Sequence, residues 1–122
     1  MNVGVDMIGL EYVSHEIDKG SHFIKRVFTT EEIKYCESQN NPVQHYAARL
    51  AGKEAVMKAL GTGWGKGVKW NDIEVLRLIN GNPYVRLHGK TKKIFENSGY
   101  SKIAITLTHY GQTALAFVIF FD

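Results

Sequence analysis

The sequence predicts an α+β fold in which helices are concentrated in the first half of the chain and an antiparallel sheet lies mainly in the second. The first observation is that apolar residues recur at helical spacing from residue 10 to residue 60. The second is that the apolar spacing changes to every second residue after residue 72. Neither a linker nor an internal repeat interrupts the 122 residues, so we expect one domain spanning residues 1–122.

Local signals define four elements in the first half. They are a strand over residues 2–8, an irregular helical stretch over 10–28, a helix from 30 to 37 and a long helix over 43–60. In the strand, Asp6 lies on the face opposite to the apolar side chains. Thr29 and Glu32 form a capping box, which sets the start of the third element.

The second half contains strand and turn signals. We expect strands over residues 72–78, 84–87, 103–107 and 114–121, and a short helix over residues 90–97. The Asn80-Gly81 pair adopts positive φ readily and predicts a hairpin between the first two strands. Gly99 ends the short helix. Residues 109–112 are expected to link the last two strands.

Composition excludes several classes of protein. A single cysteine, Cys36, rules out an intramolecular disulfide framework, and no Cys/His spacing resembles a zinc site. Because the chain has no disulfide framework, we expect a reducing, cytoplasmic location. Any metal would be bound by oxygen. The longest apolar run, residues 114–121, is far shorter than the ~20 residues of a membrane helix. The net charge of +3 is scattered along the chain, so we expect neither a nucleic-acid nor a membrane partner.

The long helix contains an unusual carboxylate. At 3.6 residues per turn, one small and apolar face includes Ala47, Leu50, Ala51, Glu54 and Lys58, with Arg49 and Lys53 along its flank. Burying a carboxylate costs several kcal/mol unless a cation compensates, so Glu54 is expected to bind one. The alternative is an ordinary surface ion pair between Glu54 and Lys58 at i and i+4.

A glycine-rich segment follows this helix. It begins with Gly61, Thr62 and Gly63 and contains four glycines in seven residues. We expect its backbone amides to be unshielded and near cations, an arrangement that suits phosphate. The alternative is that these glycines only terminate the helix.

Two further residues are candidates for a site. An aspartate near the end of a first strand, such as Asp6, is commonly a cap or turn residue, and His109 is alternatively an exposed or core-edge histidine. Asp6 and Glu54 together, however, make a minimal oxygen-ligand set for Mg²⁺, which usually takes one or two protein carboxylates and completes its shell with water and substrate phosphate.

Four segments, in their order along the chain, resemble the small bacterial holo-acyl-carrier-protein synthases of the 4′-phosphopantetheinyl transferase superfamily. They are Gly4-Val5-Asp6, Phe28-Thr29-Thr30-Glu31-Glu32, residues 47–63 and Leu107-Thr108-His109. The Lys-Glu-Ala-x-x-Lys core at residues 53–58 followed by Gly-Thr-Gly is the most specific part. Ile8 stands where the larger, pseudo-dimeric branch has an acidic residue, which places the chain with the short class.

The resemblance implies a Mg²⁺-dependent transfer of the phosphopantetheine arm of coenzyme A to a serine of an apo acyl carrier protein, with release of adenosine 3′,5′-bisphosphate. Asp6 and Glu54 would hold Mg²⁺. Lys58 would stabilise developing charge or protonate the leaving phosphate, and either Glu54 or a metal-ordered water would accept the serine proton.

The resemblance also assigns coenzyme A contacts and a quaternary structure. The expected coenzyme A contacts are Arg49, Lys58, Gly61, Thr62, Gly63, Thr108 and His109. Relatives of the short class form homotrimers with active sites between subunits, and the modest core agrees with this. The first helix departs from the family pattern, because acidic residues offset its basic ones and Tyr12 stands where an arginine is common.

Two other functions are alternatives to this one. A non-catalytic module that binds coenzyme A or a nucleotide would need phosphate contacts but not the pair of Asp6 and Glu54. A basic nucleic-acid-binding protein would need neither Mg²⁺ nor coenzyme A, and its affinity would depend on salt.

Overall fold

Strands and helices alternate irregularly along the chain in the computed structural model, which describes residues 1–62 and 65–122. The elements are β1 (Asn2–Gly9), α1 (Leu10–Asp18), α2 (His22–Val27), α3 (Thr30–Glu37), α4 (Pro42–Leu60), a 3₁₀ turn (Trp70–Asp72), β2 (Ile73–Arg77), β3 (Pro83–Leu87), α5 (Gly89–Glu96), β4 (Lys102–Tyr110) and β5 (Thr113–Phe121). None of the described helices is long and apolar enough to cross a bilayer.

The main sheet has three antiparallel strands in the order β1-β5-β4. Asp6 lies opposite Ala116, which in turn lies opposite Leu107, so these three side chains share the face that packs on α4. The predicted α+β class is confirmed, and β1 adds a strand from the first half to this sheet. Strands β2 and β3 form a separate hairpin, closed by a hydrogen bond from Leu78 N to Asn82 O (2.8 Å).

Helix α4 is the central element of the fold. Pro42 occupies its first turn, where a missing N–H is tolerated, and Gly61 ends it in the left-handed conformation with φ of 75°. Eleven of its residues are buried, because one side packs on the main sheet and another on α1 and α3. The helix therefore separates two apolar clusters, one against the sheet and one beneath the N-terminal helices.

Two predicted boundaries differ from the structure. The helical stretch over residues 10–28 is two helices, because the chain turns at Gly20, whose φ is 130°. His109 lies inside β4 rather than in a linking segment, since the pairing of β4 with β5 continues to Tyr110 and Thr113. The remaining two-residue turn has Gly111 at φ 58°, which explains why the strands extend so far.

The face of the main sheet turned away from α4 is apolar and exposed. Val3, Val5 and Met7 on β1 are 54, 48 and 63% exposed, and Phe117 on β5 is 37% exposed. These four residues are called the outer sheet face below. An apolar surface of this kind marks a site of protein association more often than a solvated surface.

Candidate functional site

The structure brings together three of the predicted site residues. The Lys58 ammonium group donates to Asp6 Oδ1 at 2.7 Å and to the carbonyl oxygen of Val5 at 3.0 Å. The Glu54 carboxyl group, one helical turn before Lys58, lies beside Asp6. Thus β1 supplies one carboxylate, α4 supplies a carboxylate and a cation, and the three groups form a single polar site.

The charges in this site are suited to a cation. Burial, together with the neighbouring Asp6 carboxyl group, raises the pKa of Glu54 to about 7, and Lys58 opposes this shift only in part. Asp6 Oδ2 is buried and has no hydrogen-bond donor from the described residues. Two adjacent carboxylates with an unsatisfied oxygen fit a hard divalent ion, which takes oxygen ligands and relieves their repulsion. Among residues 1–62 and 65–122, no group of three or more His, Cys, Asp or Glu side chains could hold a metal. A metal ion bound by Asp6 and Glu54 would therefore complete its coordination with water and substrate oxygens.

A glycine sets the distance between the two elements that build the site. A Cβ atom on Gly4 would lie 1.9 Å from the carbonyl oxygen of Ala55, so β1 can approach α4 only because residue 4 has no side chain. Asn2 adds a hydrogen bond from its side-chain amide to Ala59 O (3.1 Å). This close approach places Asp6 against Glu54.

The alternative of a surface ion pair between Glu54 and Lys58 does not describe the site. The Lys58 salt bridge is made to Asp6, a residue 52 positions away in the chain, rather than to its helical neighbour. Glu54 therefore faces a second carboxylate instead of the Lys58 partner that the surface-pair alternative gives it.

The glycine-rich segment begins as a helix terminus. The backbone N–H of Gly61 donates to the carbonyl oxygens of Met57 and Lys58, both at 3.1 Å, so this amide caps the helix. Thr62 is half-buried, and its carbonyl oxygen accepts from Gly65 N at 3.4 Å. The expected contact of Gly63 with coenzyme A lies outside the described residues.

Arg49 lies away from the carboxylate pair. It precedes Glu54 by five residues, which is about 7.5 Å along the helix and about 140° around it. Its side chain is only 1% exposed, and its guanidinium carbon lies 4.2 Å from the centroid of the Tyr35 ring. It donates to the His45 carbonyl oxygen at 3.4 Å, and its Nε has no partner among the described residues. No carboxylate among the described residues forms a salt bridge with this buried cation.

Thr108 and His109 lie in a second polar cluster, which adjoins Arg49 through His45. A cavity of about 150 Å³ is lined by Gln44, His45, Ala48, Arg77, Leu107, Thr108 and His109. The Gln44 side-chain amide lies 3.3 Å from His109 Nδ1. Burial and then the charges of Arg49, Arg77 and His109 lower the pKa of His45, whose ring lies among these basic side chains.

Within one chain, the two clusters do not meet. Asp6 and His109 lie on the two outer strands of the main sheet, with β5 between them, and they are offset by two residues along the strands. This arrangement separates the two residues by more than about 10 Å. The predicted metal ligands and Lys58 therefore form one group, and Arg49, Thr108 and His109 form another.

A buried ionic network on another side of α4 was not predicted from the sequence. Lys53, expected on the flank of the Glu54 face, is fully buried and lies 2.7 Å from the equally buried Glu32. Its ammonium group also donates to the carbonyl oxygens of Trp70 and Ile73. Glu32 accepts in addition from the backbone N–H groups of Thr29 and Val75, both at 2.8 Å. The three Lys53 donors and both Glu32 oxygens are hydrogen-bonded, so this network is structural.

The network continues to Glu74 on β2, which is also buried. The Thr29 hydroxyl donates to Glu74 Oε2 at 2.7 Å, and His88 Nε2 lies 2.9 Å from Glu74 Oε1. Although burial opposes it, the hydrogen bonds from Thr29 and His88 hold the pKa of Glu74 below its ordinary value. The only sequence signal for this network was the capping box at Thr29, whose Glu32 also caps α3.

Comparison with known proteins identifies the family. The family model described as the 4′-phosphopantetheinyl transferase superfamily matches residues 2–118. The chain belongs to the 4′-phosphopantetheinyl transferase superfamily. Within this superfamily, the chain is 42% identical over 120 residues to a holo-[acyl-carrier-protein] synthase of Solibacter usitatus, covering 98% of this chain and 96% of that protein. The resemblance inferred from the motifs is thereby confirmed.

Solved structures of superfamily members agree with this fold. A holo-[acyl-carrier-protein] synthase from Neisseria meningitidis superimposes with a TM-score of 0.91 at 30% identity, covering 99% of this chain and 98% of that one. A synthase from Bacillus anthracis in complex with coenzyme A (3′,5′-ADP) superimposes with a TM-score of 0.80 at 28% identity, covering 98% of this chain and 94% of the other. The arrangement of helices and strands around α4 is thus that of the transferase superfamily.

Proposed function

We propose that this transferase superfamily member moves the 4′-phosphopantetheine arm of coenzyme A to a serine hydroxyl of an apo acyl carrier protein. The other product is adenosine 3′,5′-bisphosphate. The relatives named as synthases support this assignment, and they do not favour a non-catalytic module that only binds coenzyme A. We further propose that residues 1–122 form one domain, since β1 and β5 pair from opposite ends of the chain.

The observation that supports catalysis is the juxtaposition of Asp6, Glu54 and Lys58. A protein that only bound coenzyme A would need cations for the phosphates. It would gain nothing from two adjacent carboxylates, which repel each other and the ligand unless a metal ion joins them. We propose that Asp6 and Glu54 hold Mg²⁺, which when bound neutralises charge on the pyrophosphate of coenzyme A.

We propose that the protein groups position and assist an in-line displacement. The serine oxygen forms a bond to the β-phosphorus as the bond from that phosphorus to the bridging oxygen breaks. The Lys58 ammonium group, held by Asp6 and the Val5 carbonyl, would stabilise the charge on the leaving phosphate. Either the Glu54 carboxylate or a water ordered by the metal would accept the serine proton.

We propose that the second cluster binds the remaining phosphate of coenzyme A. Arg49 is a planar cation with an unused Nε, and the Thr108 hydroxyl and the His109 ring line the adjoining cavity. The segment of Gly61, Thr62 and Gly63 would approach the pyrophosphate from the end of α4. These contacts come from the family resemblance and agree with the local charge.

The separation of the two clusters supports a homotrimer with active sites between subunits. One chain does not bring Arg49 and His109 to its own Asp6 and Glu54, but a neighbouring copy can supply the missing cluster. The outer sheet face provides an apolar surface for such an assembly. We also propose a cytoplasmic location, because the single cysteine, Cys36, is a buried thiol with no disulfide partner.

The test is a transfer assay read by mass spectrometry. Apo carrier protein incubated with coenzyme A, Mg²⁺ and the wild-type protein is expected to gain the mass of one phosphopantetheine. Glu54→Gln and Asp6→Asn should each abolish the gain, as should excess EDTA. Glu11→Gln, which removes an exposed carboxylate on α1, is the matched control and should leave transfer intact. Wild-type protein that binds coenzyme A without modifying any carrier would support the binding-module alternative instead.

A further inference from the structure

We propose that the groove between β3, α5 and β4 binds the anion of a medium-chain fatty acid. The groove has a cavity of about 500 Å³, which lies within the range of small-molecule sites. It is lined by residues 85–87 of β3, by α5 and by residues 100–103 at the start of β4. It is called the β3–β4 groove below. The proposed transfer reaction does not use it.

The β3–β4 groove lies where the two sheets of the fold separate. Strand β3 is the edge of the hairpin and β4 is an edge of the main sheet. Among the described residues, no backbone hydrogen bond joins these two strands. Their contact is therefore made by side chains, and the space between the strands is not closed by a ladder.

The floor of the groove is apolar and well supported. Leu87 is 9% exposed and Phe95 is 8% exposed, and the Phe95 ring packs edge-on against Phe120 with their centroids 4.9 Å apart. The other apolar or aromatic residues of the floor are half-buried: Val85, Tyr100 and Ile103. An apolar chain lying in the groove would remove the rest of this surface from water, which favours binding.

The rim of the groove has two cations that protein carboxylates do not neutralise. Arg86 and Lys92 are exposed, and neither forms a salt bridge with a described residue. Glu74 lies opposite Arg86 across the hairpin, but its oxygens are hydrogen-bonded to Thr29 and His88. Among the described residues, Glu96 is the one carboxylate that lines the groove. The lining therefore has a net positive charge and favours an anionic head group.

Helix α5 has an N-terminal charge that an anion would offset. Its first turn has no acidic residue, three of its first five residues are Lys90, Lys92 and Lys93, and His88 at its N-cap makes no side-chain cap hydrogen bond. Cations near a helix N-terminus are unfavourable, because the aligned peptide dipoles already place positive partial charge there. A carboxylate beside Lys92 would reduce this repulsion.

The shape of the groove selects an acyl chain over a peptide strand. Cα atoms of β3 and β4 approach within 8 Å of each other. A strand inserted between them would need about 9.6 Å, twice the ordinary spacing of paired strands. A phosphate alone would leave the apolar floor uncovered. A thin apolar chain with one carboxylate at its end matches both the floor and the rim.

The groove is separate from the groups proposed to bind coenzyme A. Ile103 precedes His109 by six residues on β4, which is about 20 Å along an extended strand. A fatty acid in the groove therefore does not occupy the cluster that contains Thr108 and His109.

The experiment is a calorimetric titration of the full-length protein with hexanoate, octanoate and decanoate, each below its micelle concentration. Affinity should rise about fourfold for each two methylenes added, since an open groove covers about half of each methylene. Octylammonium should bind at least about tenfold more weakly than octanoate, because the rim repels it. Affinity that is independent of chain length, or equal for octanoate and octylammonium, would overturn the proposal.

Two pairs of charge variants test the rim. Arg86→Gln with Lys92→Gln should lower the affinity for decanoate about tenfold, because both partners of the carboxylate are lost. Lys90→Gln with Lys93→Gln removes the same charge from exposed positions of α5 outside the groove, and should change affinity less than about twofold. Equal losses in the two pairs would show a nonspecific charge effect and would overturn the site.

A filling variant tests the floor. Ser101→Trp places a large ring in the groove from an exposed position and should abolish decanoate binding, whereas Ser21→Trp, at an exposed serine before α2, should not. Both variants should unfold at the wild-type temperature. Wild-type protein that binds vesicles of anionic phospholipid but not decanoate would refute the proposal in favour of a membrane surface. These titrations do not depend on transfer, so failure of the proposed function would be seen separately in the carrier assay.

Discussion

Lys53 Nζ and Glu32 Oε1 lie 2.7 Å apart with both side chains fully buried. Charges in such a position are costly to remove from water, and only complete hydrogen bonding makes the arrangement tolerable. The pair joins α4 to α3 and, through Val75 and Ile73, to β2. It therefore fixes α4, on which Glu54 and Lys58 stand.

Breaking this pair should destabilise the fold strongly. Lys53→Met leaves the Glu32 carboxylate buried without its cation, and we expect a loss of about 3–5 kcal/mol in the free energy of unfolding, measured by denaturant titration. The double variant Lys53→Met with Glu32→Gln should recover part of that loss. Lys19→Ala removes an exposed pair of the same length and should cost less than about 1 kcal/mol. Additive effects in the double variant would show that the two side chains are not coupled.

Gly4→Ala should damage both stability and activity. The new Cβ atom would meet Ala55 O at 1.9 Å, so β1 must move away from α4. We expect a destabilisation of more than about 3 kcal/mol and loss of transfer, because the shift withdraws Asp6 from Glu54. Gly9→Ala at the end of the same strand, where a Cβ atom meets nothing within 4 Å, is the control and should be nearly neutral. A Gly4→Ala protein with wild-type stability would contradict the close approach.

Glu54 should make metal-free protein less stable as the pH rises. Its pKa is raised from 4.5 to about 7, so between these values the unfolded chain has released a proton that the folded chain retains. The folded state binds more protons there, and the stability contributed by this group is lost progressively up to about pH 7. Denaturant midpoints in EDTA at about pH 5 and about pH 8 measure the effect.

The matched variant for this titration is Glu54→Gln, which lacks the ionising group. It should be more stable than wild type at about pH 8 in EDTA and should lose this part of the pH dependence. Mg²⁺ should restore stability to wild type at the higher pH but leave Glu54→Gln nearly unaffected. Identical pH profiles for the two proteins would mean that Glu54 is ionised normally beside Asp6.

A lysine on the outer sheet face should disrupt assembly. Met7 is 63% exposed in the single chain, so Met7→Lys is tolerated by the fold but places a charge in the proposed subunit contact. Light scattering should find a trimer for the wild type and smaller species for the variant, with a parallel fall in transfer. Ile79→Lys, in the turn between β2 and β3, changes another fully exposed apolar residue and should have no effect. A monomeric, active wild type would refute the shared site.

Signals between neighbouring residues in the sequence predicted much of the secondary structure. The Thr29 and Glu32 capping box, the Asn80-Gly81 turn and the alternation around Asp6 depend on neighbours in the chain, and each lies where it was predicted. His109 was misplaced in a linking segment because the length of β4 depends on pairing with β5, which no local signal encodes.

By itself, the sequence determined the superfamily, the long helix and the identity of the residues that carry charge. Only the tertiary structure decided which charges meet. Lys58 pairs with Asp6 and Lys53 with Glu32, although Glu54 is near both lysines along the helix. The physical reason is that helix periodicity fixes the direction of each side chain but not what packs there, and the missing Cβ of Gly4 brings β1 close enough for Asp6 to be the partner.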